Sequence, residues 1–175
     1  REMAKGEGHA LRIGVVGCGS ISVAYMRNAP LFSGVRITAC ADLNPEAAVL
    51  RADEYGLQAM DVDGLMSDPE IDLVLNLTVP AAHYHVSMQA LATGKHVFTE
   101  KPRAVTAELG RALVVDATRR GLLIGSAPDT FMGAAGRRAR RLMEDGTIGN
   151  PVTGTAFMLG RGMEHWHPDP AFYYQ

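Results

Sequence analysis

The sequence predicts a doubly wound α/β domain followed by the beginning of a second α/β domain. From Leu11 onward, short apolar runs alternate with helical stretches, which is typical of helices packed on both faces of a mostly parallel sheet. The runs are rich in Val, Ile and Leu without strict alternation, as expected of strands that are buried on both faces. After Ser126 this rhythm changes.

The apolar runs predict five strands of the first sheet, namely Arg12–Gly17, Val35–Ala41, Ile71–Val79, His96–Glu100 and Leu122–Ser126. The helices predicted between them are Ser20–Asn28, Pro45–Tyr55, Ala82–Thr93 and Thr106–Arg120, with proline and glycine signals at their ends. Farther on, Ala134–Asp145 is predicted to be a helix, and Pro151–Gly160 a strand of a different sheet. We therefore expect a tail over residues 1–10, a first domain over 11–128 and an incomplete second domain over 129–175.

The composition limits the partners that the chain can take. The 175 residues are 47% hydrophobic and carry a net charge of −2, so they can bury a core but have no general attraction for nucleic acid or anionic lipid. We expect no membrane span, because no apolar run approaches roughly 18 residues, and we expect small-molecule partners. Cys18 and Cys40 show no metal-ligand spacing, which favours a reduced, cytoplasmic compartment.

A glycine-rich turn follows the first predicted strand and opens a helix, which is the context of a dinucleotide-binding fingerprint. Gly17 permits a tight turn, and Gly19 lets the backbone approach a pyrophosphate. The helix N-terminus at Ser20 and Ile21 supplies free amides and a favourable dipole, while Ser22 replaces the usual third glycine. The alternative is a tight structural turn without a ligand.

Asp42 ends the second strand about 20 residues after this turn, where a carboxylate accepts hydrogen bonds from the adenosine ribose. NAD is favoured over NADP because the carboxylate repels a 2′-phosphate, and the following Leu43 and Asn44 provide no arginine. Alternatively, Asp42 only caps the helix that begins near Pro45.

The next predicted strand ends in Thr78, Val79 and Pro80, and its carboxyl end faces the same crevice as the glycine turn. We expect these residues to flank the nicotinamide together with His83 from the first turn of the following helix. Strand termination and a helix start explain the same residues without a ligand.

Lys101 follows the strand after that, with Glu100 before it and Pro102 after it. When an alcohol gives up a hydride its hydroxyl must also lose a proton, so an ammonium at this point can polarise the oxygen or relay the proton. Lys101 is therefore the candidate catalytic residue, and Glu100 is expected beside the cofactor. A solvent-exposed pair between Lys101 and Glu100 is the alternative.

These motifs, in this order and spacing, resemble the Gfo/Idh/MocA oxidoreductases, and the resemblance covers nearly everything after residue 11. It implies a Rossmann-type NAD-binding domain, a second domain built on a large open sheet, a sugar or polyol substrate and a substrate-contacting role for Lys101. It also implies an aspartate and a histidine acid/base partner beyond Gln175, so we expect this chain to hold part of the catalytic set. Ala127 to Phe131 stand where many relatives carry an arginine-bearing substrate segment, so the particular substrate is not carried over.

Two further segments contain residue types that are common in binding sites. The tail around Trp166 and His167 contains imidazoles and carboxylates, but its proline and aromatic residues favour a loop over the substrate rather than a metal site. The arginines between Arg137 and Arg141 are explained by i,i+4 pairs with Glu144 and Asp145 on a solvated helix face, so they require no nucleic acid.

The sequence thus predicts an NAD-dependent oxidoreductase that acts on a secondary alcohol. A noncatalytic dinucleotide-binding module and a structural subunit remain open at this point. We expect the full-length form to be a homo-oligomer. We also expect that something must cover the exposed edge of an unfinished second sheet.

Overall fold

The computed structural model describes residues 10–128, 130–165 and 171. Its strands are β1 (Leu11–Val16), β2 (Val35–Ala41), β3 (Gln58–Met60), β4 (Leu73–Asn76), β5 (His96–Thr99) and β6 (Ile124–Ser126). These six parallel strands form one sheet in the order β3-β2-β1-β4-β5-β6. The α-helices are α1 (Ser20–Asn28), α2 (Pro45–Tyr55), α3 (Val62–Ser67), α4 (Pro80–Ala92), α5 (Ala107–Arg120) and α6 (Ala134–Glu144). Short 3-10 helices cover Ala29–Leu31, Thr130–Met132 and Met163–His165.

The strand order confirms the doubly wound prediction. Strands β1 and β4 lie side by side, so the chain builds the sheet outward in one direction through β2 and β3 and in the other through β5 and β6. In such sheets ligands bind at the carboxyl ends of the strands, where the direction of winding reverses.

The core lies on both faces of this sheet, because successive side chains of a strand point to opposite sides. Val15 of β1 belongs to a cluster with residues of α1 and α2, whereas Val16 belongs to a second cluster with residues of α3, α4 and α5. In β4, Leu75 belongs to the same cluster as Val15, and Val74 belongs to the same cluster as Val16. This burial on both faces explains why the runs show no strict alternation.

The structure differs from the predicted elements in several places. Strand β4 is shorter than the predicted Ile71–Val79, and α4 begins earlier than predicted because Pro80 occupies its first turn. Strand β3 and helix α3 were not predicted. Both are short, and in α3 only Leu65 and Met66 are buried, so neither has a clear periodic pattern.

The chain divides into two compact units, Arg1–Pro128 and Asp129–Gln175. In the second unit the predicted helix is present as α6, and Arg140 pairs with Glu144 at 2.6 Å as predicted. Asp145 instead accepts hydrogen bonds from Thr147, which lower the pKa of its carboxyl group.

The predicted strand Pro151–Gly160 is wrong, because residues 151–160 form no strand in the structure. A strand is stable only when a neighbouring strand satisfies its backbone hydrogen bonds, and the described residues of this unit supply none. Its apolar side chains are exposed, among them Val152, Phe157, Met158 and Leu159.

A buried lysine that the sequence did not single out supports the start of β4. Lys95 is 4% exposed, and its Nζ donates to the carbonyl oxygens of Asp68 and Ile71 at 2.6 and 3.0 Å. Burial lowers the pKa of this ammonium. The lysine therefore fixes the loop between α3 and β4, and its role is structural.

We expect Lys95→Met to lower the free energy of unfolding by about 1–3 kcal/mol, because the carbonyl oxygen of Ile71 loses its charged donor while remaining buried. The folded state releases the Lys95 proton at a lower pH than the unfolded state does. Wild-type stability should therefore rise relative to the variant as pH increases from about 7 to about 10. Urea unfolding of both proteins at the two pH values measures this, and an unchanged difference would contradict it.

Candidate functional site

The glycine turn begins immediately after β1 and lies against the ends of two other strands. Gly17 has a φ of 102°, and a Cβ atom there would lie 2.6 Å from the carbonyl carbon and oxygen of Leu77. Its amide donates to the carbonyl oxygen of Ala41 at 2.9 Å. Only glycine fits both this backbone conformation and this close approach.

Gly19, at the other end of the turn, faces open space. It is the N-cap residue of α1, and a Cβ atom there would meet nothing within 4 Å. Ser20 and Ile21 follow in the exposed first turn, where backbone amides have no partner inside the helix. The buried Ser22 donates from Oγ to the carbonyl oxygen of Gly19 at 2.6 Å, so serine packs well where a third glycine is usual.

Asp42 lies beside this turn at the end of β2. Its Oδ2 accepts from the amide of Cys18 at 2.7 Å, and its Oδ1 accepts from the amide of Asn44 at 2.9 Å. The alternative that Asp42 caps α2 is wrong, because Asn44 is the N-cap and accepts from the amide of Glu46. An ionised carboxylate has about four acceptor positions, so Asp42 retains capacity for hydroxyl donors.

The loop after β4 is held by Asn76, a fully buried residue that sequence reasoning missed. Its Oδ1 accepts from the hydroxyl of Thr78 at 2.7 Å, and its Nδ2 donates to the carbonyl oxygen of His83 and to Ser87 Oγ. A polar residue at the end of an otherwise apolar strand was the available signal. Beyond this network Val79 is 52% exposed.

His83 is placed differently from the other predicted site residues. It is only 1% exposed, with Nδ1 2.6 Å from the carbonyl oxygen of Pro102 and Nε2 2.9 Å from that of Thr78. The ring therefore joins the loop after β4 to the segment after β5. Its ring nitrogens are occupied by these carbonyl groups, so its effect on a ligand would pass through the two loops.

Glu100 and Lys101 follow β5 directly. Glu100 accepts from the hydroxyl of Tyr25 at Oε1 and from the backbone amide of Lys101 at Oε2, at 2.8 and 3.1 Å. Lys101 is exposed, and no ion pair or hydrogen bond in the described part of the chain involves its ammonium group. The predicted alternative, a surface pair between the side chains of Lys101 and Glu100, does not form.

The parallel register brings these residues to one edge of the sheet. Val16 pairs with Ala41 on one side and with Asn76 on the other, and Asn76 pairs in turn with Thr99. Gly17, Asp42, Thr78 and Glu100 follow these paired positions by one or two residues. They therefore lie along the carboxyl edge of β2, β1, β4 and β5, with Gly19 and Lys101 next to them.

The predicted substrate residues Trp166 and His167 lie outside the described residues. Across residues 10–128, 130–165 and 171, no group of three His, Cys, Asp or Glu side chains is placed to hold a metal ion. Within the same parts of the chain, no helix combines the length and apolar character that crossing a bilayer requires.

An open glycine turn at a helix N-terminus, with a carboxylate at the end of the neighbouring strand, defines a dinucleotide-binding domain of the Rossmann type. Residues 11–127 match the model of the GFO_IDH_MocA family, which is described as an oxidoreductase family with an NAD-binding Rossmann fold. The chain belongs to this Gfo/Idh/MocA oxidoreductase family.

Similar proteins include sugar and polyol enzymes. The chain is 30% identical to 1,5-anhydro-D-fructose reductase of Ensifer adhaerens, over 83% of this chain and 44% of that protein. It is 33% identical to inositol 2-dehydrogenase of Ralstonia nicotianae, over 81% and 44% respectively. The structure of myo-inositol dehydrogenase from Lactobacillus casei with NAD(H) and myo-inositol superposes with a TM-score of 0.75 and 28% identity, over 82% and 44%. The chain thus spans less than half the length of these relatives.

Proposed function

We propose that this protein is an NAD-dependent oxidoreductase that transfers hydride between a secondary alcohol and the nicotinamide. The observation that carries the proposal is the exposed Lys101 ammonium, which has no partner among the described residues and lies on the same sheet edge as the open turn at Gly19. A cofactor site and an available cation on one edge favour alcohol oxidation or carbonyl reduction over binding alone.

The residues of the first unit fit a dinucleotide. The open space at Gly19 admits a pyrophosphate, and the amides at Ser20 and Ile21 supply donors and the positive end of the helix dipole. Asp42 receives the adenosine ribose hydroxyls and disfavours a 2′-phosphate, so NAD is preferred to NADP. Thr78, Val79 and Pro80 border the nicotinamide half, Glu100 lies beside them, and His83 holds their loop in place.

When bound, NAD would accept the hydride from the alcohol carbon, and NADH would supply it in the reverse direction. Lys101 contacts the substrate oxygen, and its ammonium stabilises the negative charge that develops there while the hydroxyl proton passes to water or to a general base. In the reverse direction the ammonium polarises the carbonyl. This role needs a cation that is not already neutralised, and Lys101 makes no ion pair in the described residues.

The substrate, the compartment and the assembly belong to the same proposal. A sugar or polyol substrate is supported by the relatives named as an anhydrofructose reductase and an inositol dehydrogenase. A cytoplasmic location is supported by the free, buried thiols of Cys18 and Cys40. Exposed apolar side chains between Val152 and Leu159 need a cover, which either the rest of the complete protein or a second copy can provide, and we propose a homo-oligomer of the complete protein.

Lysine labelling tests the cofactor part of this proposal on the present chain. The sequence contains three lysines, Lys5, Lys95 and Lys101, so acetic anhydride labelling with peptide mass spectrometry resolves each of them. We expect NADH at roughly 100 times its Kd to slow acetylation of Lys101 about tenfold or more, because few protein molecules then remain without bound NADH. The buried Lys95 should react slowly with or without NADH and serves as the internal control.

Two outcomes would contradict the proposal in different ways. If NADH binds in a fluorescence titration while Lys101 stays equally reactive, the lysine is not beside the nicotinamide, and a noncatalytic dinucleotide-binding module becomes the better description. If no NADH binds, the dinucleotide site itself is wrong and a structural subunit is favoured.

A further inference from the structure

A hydrogen bond crosses the carboxyl edge of the sheet between elements that are not neighbours in it. The hydroxyl of Tyr25, on α1, donates to Glu100 Oε1 at 2.8 Å. Helix α1 follows β1, whereas Glu100 follows β5, and β4 lies between these two strands. The bond therefore spans the switch point at which the cofactor is expected.

Both ends of this bond are attached to site residues. Helix α1 begins directly after Gly19, so Tyr25 belongs to the same rigid element as the amides of the glycine turn. At the other end, the second oxygen of Glu100 accepts from the backbone amide of Lys101. A short sequence of contacts thus connects the pyrophosphate end of the site to the lysine.

Packing holds the two partners on the same face of the sheet. Phe98 of β5 packs against the cluster formed with α1 and α2, and Tyr25 packs against the same cluster. Glu100 comes two residues after Phe98, so the strand period of two directs its side chain to that face as well. The Tyr25 ring is half-buried, so packing fixes the position of its hydroxyl. The hydrogen bond to Glu100 is therefore more constrained than a contact between two flexible surface side chains.

We propose that Tyr25 is a positioning residue that acts through Glu100 to hold Lys101 in register with the cofactor turn. This inference rests on the proposed function, because it concerns the same lysine and the same dinucleotide. A hydrogen bond to a charged carboxylate is stronger than one between neutral groups, so losing the hydroxyl frees Glu100 to adopt other rotamers and loosens the Lys101 backbone. The amides that hold the pyrophosphate are not altered.

The test combines Tyr25→Phe with Lys101 acetylation, NADH titration and thermal unfolding. We expect NADH to slow Lys101 acetylation in the variant about threefold or less, against about tenfold in the wild type. The Kd for NADH should stay within about twofold, and Tm should fall by roughly a few degrees, as expected for the loss of one hydrogen bond to a charged group. A purely structural role would lower Tm in the same way but leave the protection of Lys101 at the wild-type value.

Two more variants make the result specific. Glu100→Ala should reduce the protection of Lys101 to the same degree, and adding Tyr25→Phe to it should have no further effect, because the acceptor is already gone. Tyr84→Phe removes a phenolic hydroxyl on α4, from a ring in the cluster on the opposite face, and should leave the protection at the wild-type value.

The outcomes separate this inference from the proposed function. If Tyr25→Phe retains wild-type protection, or if its effect persists in the Glu100→Ala background, the positioning role is overturned while NADH binding by the wild type still stands. If Tyr25→Phe does not fold, Glu100→Ala alone decides, since wild-type protection in that variant overturns the role. If the wild type binds no NADH, the proposed function and the inference fail together.

Discussion

Replacing Gly19 with Val should abolish NADH binding while leaving the protein folded. Apart from its two chain neighbours, a Cβ atom at Gly19 would meet nothing within 4 Å, so a side chain can begin there without a clash, and the poorer capping by valine should cost about 1 kcal/mol. The same space is where we propose that the pyrophosphate approaches the backbone, so a valine there should exclude it. We expect the Kd for NADH to rise about a hundredfold or more, as measured by fluorescence titration, and circular dichroism to show the wild-type spectrum with a melting temperature lowered by roughly a few degrees.

Two other glycines provide controls for this prediction. Gly17→Ala should destabilise the protein itself, because its Cβ would collide with the backbone of Leu77 at a positive φ. Gly110→Ala, within α5, enters open space away from the turn and should slightly stabilise the helix without changing NADH affinity. Tight NADH binding by a folded Gly19→Val variant would show that no pyrophosphate lies against this turn.

Replacing Lys101 with Ala should lower kcat of the complete protein about a hundredfold or more while the Kd for NADH changes only a few-fold. Removing one positioned donor that stabilises developing negative charge typically costs about 10²–10³-fold in kcat. The glycine turn and Asp42, which we propose bind most of the dinucleotide, follow other strands and should be unaffected. Steady-state kinetics with myo-inositol and with 1,5-anhydro-D-fructose, combined with NADH titration, measure both quantities.

The neighbouring Arg103 supplies a matched control for the loss of a cation. Arg103→Met also removes a positive charge close to the end of β5, and we expect kcat to stay within about threefold of the wild type. Unchanged turnover in Lys101→Ala would rule out the catalytic assignment of this lysine. Equal losses in both variants would indicate a general electrostatic effect at this edge rather than a specific role for Lys101.

The fold was predictable because strands that are buried on both faces consist mainly of apolar residues, which can be recognised in the sequence. The run from Leu11 to Val16 and the run from Val35 to Ala41 are mostly apolar, as their positions in the sheet centre require. Strand β3 has only three residues, at one edge of the sheet, and too few positions to show a period. The segment 151–160 has strand-like residues, but propensity alone does not supply the partner that a strand needs.

The position of the candidate site was predictable for those of its residues that lie at the ends of strands. Asp42 and Lys101 could be placed on one edge from topology alone, because the carboxyl ends of parallel strands share that edge. Contacts between distant segments could not be foreseen. Nothing in the sequence indicates that Tyr25 reaches Glu100, 75 residues away, or that the ring of His83 lies between the carbonyl groups of two loops.

The hydrogen bond from the Cys18 amide to Asp42 has a consequence for the energetics of cofactor binding. This bond is made between two groups of the protein itself and constrains the glycine turn, so a dinucleotide that binds there has less conformational entropy of the turn to remove. Asp42→Ala should therefore weaken NADH binding by more than the loss of ribose contacts, because the ligand must then order the turn as well. We therefore expect part of the affinity for NADH to depend on this hydrogen bond within the protein and not only on contacts with the ligand.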